Sequence, residues 1–599
     1  MDKTPGIRFQ NGSATIVVWA PRAKSVALHL VKHNSQLSLA AKKRGYWELE
    51  TTQIQPGDLY KVVIDEQFFP DVASVAQPEG VHGPSQALDL AHFERTGTAW
   101  ENPALDKYII YELHTGTYSP EGTFDGIIGK LDHLEELGIT AIELMPVAQF
   151  PGGRNWGYDG VFPYAVQTSY GGATGLMRLV DACHARGLAI ILDVVYNHLG
   201  PEGNYFNNYG PYFTDKYKTP WGSAVNFDDA GCDGVRHYVV ENALMWFRDF
   251  GVDALRLDAA HAIKDFSPVH ILRELSQQVL ALTKQTGRLY HLLAEVDLND
   301  TRFIDPLDKC GYGLNAQWID EFHHALRVSA GGETSGYYAD FSGITDLAKS
   351  YRDAYVYDGV YSAQRQKTFG TKADHRPGGQ FVVFSQNHDQ VGNRMLGERS
   401  TELFSFEMQK LMAGAVLIAP YLPLLFMGEE FSARSPFLYF IDHSDPKLVE
   451  AVRKGRSEEF KAFKTKSEVP DPKDKNTFDR SKLPWNDYHL STGKAMFNYY
   501  KALIALRKQL PALAIPDRGS VRVEVLADKN ILLLQRGKLQ QVCAVLNFSR
   551  EIQAVELPAG NSWVKVIDSA DPSWKGPGAS ATLGQIRPES VIIYKNHDI

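Results

Sequence analysis

Eight short apolar runs, separated by more polar stretches, occupy the middle of the chain and limit what it can fold into. The runs cover residues 108–113, 139–147, 188–197, 252–259, 289–296, 314–320, 381–389 and 421–430. Amphipathic stretches with helical spacing, such as residues 125–138 and 175–187, lie between most of them. Strands that are apolar on both faces are typical of parallel sheets covered by helices. The pattern therefore predicts an α/β fold, a (β/α)₈ TIM barrel.

The flanking regions have a different pattern. Residues 1–90 contain short β signals separated by Pro, Gly and Asn, which favour a small β-sandwich. Residues 91–106 are interpreted as a linker, 107–510 as the barrel, and 511–599 as an antiparallel β-domain. Residues 199–230, after the third apolar run, are too many for an ordinary βα loop, so we expect this insert to reach over the barrel mouth.

Composition excludes several classes of protein. The net charge of -9 argues against a nucleic-acid binder, which needs a basic face to neutralise phosphates. The first residues lack the apolar run of a signal peptide, and no stretch is long and apolar enough to span a membrane. The four cysteines, Cys183, Cys232, Cys310 and Cys543, are far apart and form no CxxC pair. We interpret them as reduced thiols of a cytoplasmic protein.

Polar side chains follow four of the apolar runs at the point where each strand should end. In a (β/α)₈ barrel the carboxyl ends of the strands meet at the catalytic face. A single buried acid there has about even odds of being a structural ion-pair partner, but gathering several carboxylates is destabilising unless a site uses them. The residues concerned are Asp193, Asn197, His198, Arg256, Asp258, Glu295, His388 and Asp389.

Glycoside hydrolysis is the chemistry that needs such a set, because it uses a pair of carboxyl groups across the scissile bond. Arg256 and Asp258 are two residues apart on one strand and face the same side, so the guanidinium should keep Asp258 ionised as a nucleophile. Glu295 ends an apolar run, a setting that should raise its pKa and make it a general acid. Asp389 would grip the hydroxyls of the sugar, assisted by hydrogen bonds from the two histidines.

Four segments carry a resemblance to a known family. "DVVYNH", "DALRLDAAH", "AEVD" and "FSQNHD" resemble the signature regions of the α-amylase superfamily, glycoside hydrolase family 13. The resemblance implies a retaining glycosidase with a carbohydrate-module-like N-terminal β-sandwich, nucleophile Asp258, acid/base Glu295 and transition-state stabiliser Asp389. It also implies that Tyr158 of "WGYDG" stacks on the sugar at the cleavage site, and that Asp193, His198, Arg256 and His388 support the site.

Longer segments narrow the expected substrate. "AIELMPVAQFPGGRNWGYDG" and "GYGLNAQWIDEFHHAL" are similar to the superfamily members that cut the α-1,4 bond next to the terminal trehalose of maltooligosyltrehalose. This resemblance implies release of trehalose, from maltooligosyltrehalose or related α-glucans, after the action of a maltooligosyltrehalose synthase. Candidate contacts for the trehalose end are Trp221, for which core packing is as good an interpretation, together with His261 and Lys264.

Three alternative functions remain open: a branching enzyme, a debranching enzyme and a non-catalytic glycan-binding protein. A glycogen branching or debranching enzyme would share every catalytic residue, and acceptor use would distinguish it. A non-catalytic glycan-binding protein would have no need for the intact acid set. Asp193 and Asn197 could hold calcium, but no further acidic cluster accompanies them, so we expect no obligatory metal and no cofactor. Residues 311–316 match a dinucleotide-binding pattern only loosely.

Overall fold

A closed barrel of eight parallel strands forms the centre of the molecule. The computed structural model describes residues 4–96, 100–460, 468–559, 562–579 and 584–596. The strands pair in sequence order. They are β1 (Ile110–Leu113), β2 (Ala141–Leu144), β3 (Ala189–Val194), β4 (Ala254–Leu257), β5 (His291–Ala294), β6 (Ala316–Trp318), β7 (Phe381–Phe384) and β8 (Leu422–Phe426). The predicted fold class is confirmed, and each strand lies within one of the eight apolar runs.

The strands are shorter than the apolar runs, and in β4, β5 and β7 the chain leaves the hydrogen-bonded ladder before the polar residues at the end of the run. β4 begins after Asp253 and ends before Asp258, and β5 ends before Glu295. Within the ladder, Asp193 of β3 is the direct register partner of Arg256 of β4. These two polar side chains therefore share one level at the carboxyl end of the barrel.

Helices connect most of the barrel strands. The principal ones are Leu131–Leu137, Gly172–His184, Cys232–Met245, Ile271–Thr286, Asp320–Ser329, Ile344–Asp353 and Phe406–Leu417. Among the described residues, the connection from β5 to β6 has no α-helix, only the short turns Thr301–Phe303 and Leu307–Lys309. Pro306, Gly311 and Gly313 interrupt this segment, and proline and glycine both disfavour a helix interior. Within the described residues, helices therefore lie between most of the barrel strands, as the sequence predicts, and this crossover lacks one.

Two antiparallel sheets precede the barrel. The first has the strand order Gly6–Gln10, Ser13–Trp19, Tyr46–Thr51, Ala40–Ala41, and the second Ser35–Ser38, Val26–Leu30, Leu59–Ile64, Gln67–Phe69. Alternate residues of Val26–Leu30 are buried, as expected for a strand with one face in a core. Residues 97–99 of the predicted linker lie outside the described residues.

The insert between β3 and the helix Cys232–Met245 has a short helix, Phe206–Tyr209, and a hairpin of Phe213–Thr219 and Gly222–Val225. After β8, the helix Ser491–Gln509 leads to a five-stranded antiparallel sheet. Its order is Arg522–Leu526, Ile531–Arg536, Val542–Asn547, Ser590–Asn596, Trp563–Asp568. Among the described residues, no helix combines the length and apolar character needed to cross a membrane. The domain boundaries remain a prediction.

Candidate active site

One buried arginine organises the carboxyl end of the barrel. Arg256 of β4 is fully buried, and its Nη1 donates to Asp193 Oδ2 at 2.8 Å and to Asp258 Oδ1 at 3.1 Å. Its Nη2 donates to Glu295 Oε2 at 2.8 Å. The guanidinium also lies on the ring of Trp318 from β6, 4.4 Å from the ring centroid. A single cation therefore serves three carboxylates from three neighbouring strands.

The turn after Asp258 supplies a second donor. Ala259 has left-handed backbone angles, φ 37° and ψ 48°, an arrangement that costs a non-glycine residue on the order of 1 kcal/mol. In this conformation its N–H donates to Glu295 Oε2 at 2.8 Å. The strained turn thus directs a backbone donor at the carboxylate of the next strand.

The two central carboxyls have opposite pKa shifts. Burial and the nearby Glu295 carboxylate raise the pKa of Asp258. Burial opposes the charge on Glu295 as well, but Arg256 and the N–H of Ala259 outweigh it and lower the pKa of Glu295. The expectation that an apolar run raises the pKa of Glu295 is therefore wrong, because Arg256 of β4 and the N–H of Ala259 in the turn after β4 stabilise its charged form.

A second group of contacts surrounds His388. Glu112, at the end of β1, accepts from His388 Nδ1 and, at 3.1 Å, from its backbone N–H. Tyr158 Oη lies 2.8 Å from the other ring nitrogen. Burial opposes the imidazolium, but the carboxylates of Asp389 and Glu112 raise the pKa of His388 to about 10. The site therefore holds a second buried cation at neutral pH.

Tyr158 joins these two groups. Its hydroxyl donates to Asp193 Oδ2 at 2.8 Å, and its ring stacks on His388 with centroids 5.4 Å apart. Burial is the main reason that the pKa of Asp193 rises to about 6. The backbone oxygen of Tyr158 accepts from His198 Nε2 at 3.0 Å. Asn197 Nδ2 donates to Asp258 Oδ2 at 3.1 Å, which brings the end of β3 to the predicted nucleophile.

The three predicted catalytic acids differ in exposure. The side chain of Asp258 is 12% exposed, that of Glu295 22%, and that of Asp389 37%. Asp389 lies in the first turn of the short helix His388–Gly392, which Asn387 caps. Of these three acids, Asp258 is therefore the most buried, and Asp389 is the most accessible to a ligand in the mouth.

Known proteins with related sequences and structures identify the family. Residues 78–221 match the alpha amylase catalytic domain, and residues 5–78 match carbohydrate-binding module 48, the isoamylase N-terminal domain. A malto-oligosyltrehalose trehalohydrolase of Saccharolobus solfataricus is 47% identical over 95% of this chain and 97% of its own length. The chain belongs to the malto-oligosyltrehalose trehalohydrolase family.

A solved structure agrees with this family assignment. A putative alpha amylase from Salmonella typhimurium has a TM-score of 0.90 and 35% identity, with all of both chains covered. A 1,4-alpha-glucan branching enzyme of Bacillus cereus is only 26% identical, over 96% of this chain and 85% of its own length. This branching enzyme is thus a more distant relative of the chain than the trehalohydrolase is.

Of the residues predicted for the trehalose end, Trp221 and His261 have contacts beside the candidate active site. Trp221, in the turn of the hairpin, is 48% exposed and stacks on His198 with centroids 4.4 Å apart and planes at 7°. It is therefore not a core residue. His261 follows Asp258 by one turn, and its Nδ1 accepts from the N–H of Asp297 at 3.3 Å. Lys264 is partly buried two residues before the exposed Phe266.

Sequence reasoning missed three acids of the site. Glu112 binds His388, Glu143 of β2 is buried with Oε2 unpaired, and Asp320 after β6 accepts from Gln390 Nε2 at 3.1 Å. Burial and neighbouring carboxylates raise the pKa of Asp320 to about 8 and that of Glu143 well above its usual range. All three lie in or directly after an apolar strand, which is the same signal that identified Asp258.

Two of the three side-chain oxygens suggested as calcium ligands have other partners, and the third, Asp193 Oδ1, is buried without one among the described residues. Asp193 Oδ2 accepts from Arg256 and Tyr158, and Asn197 Oδ1 lies 2.7 Å from His198 Nδ1. Over the described ranges, His, Cys, Asp and Glu side chains form no group of three or more that could hold a metal ion. Independence from metal remains a prediction.

Proposed function

We propose that this protein is a retaining glycoside hydrolase that cuts the α-1,4-glucosidic bond next to the terminal trehalose of malto-oligosyltrehalose. The product is free trehalose, so the enzyme completes trehalose biosynthesis after a synthase has made the trehalose end. Membership of the trehalohydrolase family supports the substrate, and the arrangement around Arg256 supports the chemistry. No cofactor is part of the proposal.

The observation that carries the reaction type is the guanidinium shared by Asp258 and Glu295. Their carboxylates accept from adjacent nitrogens of one planar group, at 3.1 and 2.8 Å. Retaining glycosidases keep the two carboxyls roughly 5–5.5 Å apart, whereas inverting ones need room for a water between them. Neighbouring donors on one side chain favour the close spacing.

In the proposed first step, Asp258 attacks the anomeric carbon and forms a covalent glycosyl intermediate while Glu295 gives its proton to the departing trehalose oxygen. Water then attacks the intermediate, and Glu295 accepts the proton of this water. Two inversions give overall retention, so the new reducing end forms in the α configuration. Asp389 and His388 contact the sugar hydroxyls, and Tyr158 stacks on the ring.

The proton must start on Glu295, whereas the surroundings lower the pKa of Glu295 and raise that of Asp258. Because the two carboxyls titrate as a pair, a small change in their donors is enough to reverse the assignment. We propose that a sugar bound between them draws Glu295 away from Arg256 and the N–H of Ala259 toward the glycosidic oxygen. Asp258 then retains Arg256 and Asn197 as partners for its charge.

We assign the discrimination between trehalose and maltose to Trp221, His261 and Lys264. The 1,1 linkage of trehalose sets its second glucose at an angle that maltose does not have. Polar groups placed for that ring are left unpaired when another sugar occupies the site, which can discriminate by orders of magnitude.

Product analysis tests this proposal. Maltotriosyltrehalose should be cut to trehalose and maltotriose, and maltopentaose, which has the same number of glucose units, should be cut much more slowly. NMR should show the new reducing end first as the α anomer. Equal rates on both sugars would contradict the trehalose specificity. Longer branched glucans as products would support a branching enzyme, and cutting at α-1,6 branches a debranching enzyme.

A further inference from the structure

A buried histidine behind the mouth joins two loops that the proposed mechanism uses. His443 follows β8 and is 1% exposed. Its Nε2 lies 3.5 Å from Asp159 Oδ2, and its Nδ1 lies 3.2 Å from Glu202 Oε2. Asp159 directly follows Tyr158, and Glu202 belongs to the insert after β3. One imidazole thus contacts a carboxylate on each side.

Further contacts fasten the same segment. The backbone N–H of Ser444 donates to Glu202 Oε2 at 2.9 Å, and its hydroxyl donates to Glu202 Oε1. Asp442 accepts from the N–H of Gly153 at 2.9 Å and from Arg154 Nη2 at 2.7 Å. The segment 442–444, here called the clasp, therefore holds the loop that ends in Tyr158 and the start of the insert.

The clasp contacts Asp159, the residue directly after Tyr158, whose ring is proposed to stack on the sugar. Asp159 also accepts from Asn155 Nδ2 at 2.6 Å, and the N–H of Gly200 donates to the oxygen of Gly160 at 3.0 Å. These bonds fix the backbone on both sides of Tyr158, whose hydroxyl and carbonyl bond Asp193 and His198. A shift of this backbone would displace the ring under the sugar at the cleavage site.

We propose that His443 is a positioning residue that, as an imidazolium between Asp159 and Glu202, holds Tyr158 and the insert in their catalytic arrangement. It touches neither substrate nor reacting atoms. Each ring nitrogen of His443 faces a carboxylate, which can only accept a hydrogen bond. The imidazolium, which carries a proton on both nitrogens, therefore suits this geometry. The consequence for catalysis rests on the proposed function, whereas the clasp itself does not.

Other ionisable groups lie around the clasp. His82, from the segment before the barrel, lies 3.8 Å from Glu202 Oε1, and His198 lies near Asp159. Asp442 and Asp445 flank the clasp in sequence. Burial opposes the charge on His443, but Asp159 and Glu202 raise its pKa above the ordinary value of 6.5. The clasp is therefore fully charged below pH 6.5 and weakens as the pH rises through the folded-state pKa.

The first test measures thermal stability across pH and needs no substrate. His443→Gln should lower the melting temperature most below pH 6.5, and the difference from the unsubstituted protein should shrink at higher pH. His375→Gln is the matched control, because His375 also pairs with an aspartate, Asp305 at 3.1 Å, but is 48% exposed. It should cause little change at any pH. A loss in His443→Gln that is the same at every pH would overturn the proposal.

The second test measures kinetics on the cleaved sugar. His443→Gln should displace the ring of Tyr158, and should therefore lower kcat roughly ten- to a hundredfold with a smaller change in KM. Glu202→Gln should lower kcat less, because its bonds to Ser444 can remain. The double variant should be no slower than His443→Gln alone, because both substitutions remove the same contact, the one between His443 and Glu202. An unchanged kcat, or effects that multiply, would refute the positioning role.

Failures of the two proposals can be told apart. If the trehalose specificity is wrong, the melting curves still decide the clasp, and kcat can be followed on whichever α-glucan is cut. If His443→Gln does not fold, Glu202→Gln and Asp159→Asn supply the same comparison, and normal kcat in both would reject the proposal.

Discussion

The two ends of strand β4 each carry a buried aspartate, and the two are treated very differently. Asp253, just before the strand, accepts from Trp100 Nε1, the N–H of Ile190 and His184 Nε2, each at 2.8 Å, and from Arg288 Nη2 at 2.5 Å. Although burial opposes its charge, these donors lower the pKa of Asp253. Four donors therefore surround this carboxylate, and Arg288 supplies a counter-charge.

Among the described residues, Asp258, just after the strand, has two side-chain donors, Asn197 and Arg256, both at 3.1 Å. Its cation is shared with Asp193 and Glu295, and burial raises its pKa. The difference teaches that burial alone does not mark a catalytic acid. Asp253 is paired with the guanidinium of Arg288, whereas Asp258, the proposed nucleophile, shares Arg256 with two other carboxylates.

The largest expected effect comes from Asp258→Asn. Without the carboxylate no glycosyl intermediate can form, so kcat should fall roughly 10⁴-fold or more. The melting temperature should stay the same or rise, because the change removes one of several crowded carboxylates. Kinetics and calorimetry on the purified variant check both parts. Normal turnover would contradict the assignment of Asp258 as nucleophile.

The next effect concerns the neighbouring strand. Glu295→Gln should lower kcat on the natural substrate roughly 10²- to 10⁴-fold, because the leaving oxygen is no longer protonated. Formation of the intermediate from a glycosyl fluoride should be affected far less, since fluoride leaves with little protonation. Stopped-flow measurement of the first step on both substrates gives the comparison. Equal losses on the two would show that Glu295 is not the general acid.

Asp253→Asn should do the reverse of Asp258→Asn. Breaking a fully paired buried charge leaves His184 and Arg288 without their partner, which should cost about 3 kcal/mol of unfolding free energy. Activity per folded molecule should be kept, because the residue lies at the far end of the strand. Denaturant unfolding together with active-site titration separates the two quantities.

The pH dependence of that cost is also fixed. Because the folded-state pKa of Asp253 is lowered, its contribution is present above the unfolded value of about 3.9 and is lost as the pH falls through the folded value. The stability difference between Asp253→Asn and the unsubstituted protein should therefore shrink in acid. A difference that persists unchanged would mean that the cost comes from packing and not from charge.

The same strand shows what could be predicted from the sequence. Apolar runs identified all eight strands, because burial on both faces leaves few polar residues inside them. The polar residues after each run indicated the mouth, since parallel strands all end there. The partners of Asp253 could not be predicted, because Trp100, His184 and Arg288 come from three distant segments that only the folded barrel brings together.

The pKa of Glu295 was mispredicted for a similar reason. Its own strand is apolar, but its donors, Arg256 and the N–H of Ala259, come from the neighbouring strand β4 and the turn that follows it. Glu112 carried a readable signal, an acid in the apolar run that forms β1, and went unnoticed because its partner His388 lies 276 positions later. Local sequence therefore indicates where the acids lie, and tertiary contacts decide their charge.

The smallest expected effect is that of chelation. A calcium ion at the carboxyl end of β3 and β4 would supply the counter-charge that the crowded carboxylates share, and would erase the contrast between the two ends of the strand. Among the described residues, Asp193 Oδ1 is buried without a hydrogen-bond partner, but Asp193 Oδ2 already accepts from Arg256 and Tyr158, and Asn197 Oδ1 lies beside His198 Nδ1. Calcium needs six to eight oxygen ligands, and one unpaired oxygen does not supply them. Prolonged treatment with EDTA, followed by assay on maltotriosyltrehalose, should therefore change kcat less than about twofold. Complete loss of activity that calcium restores would mean that a metal, and not Arg256 alone, balances these acids.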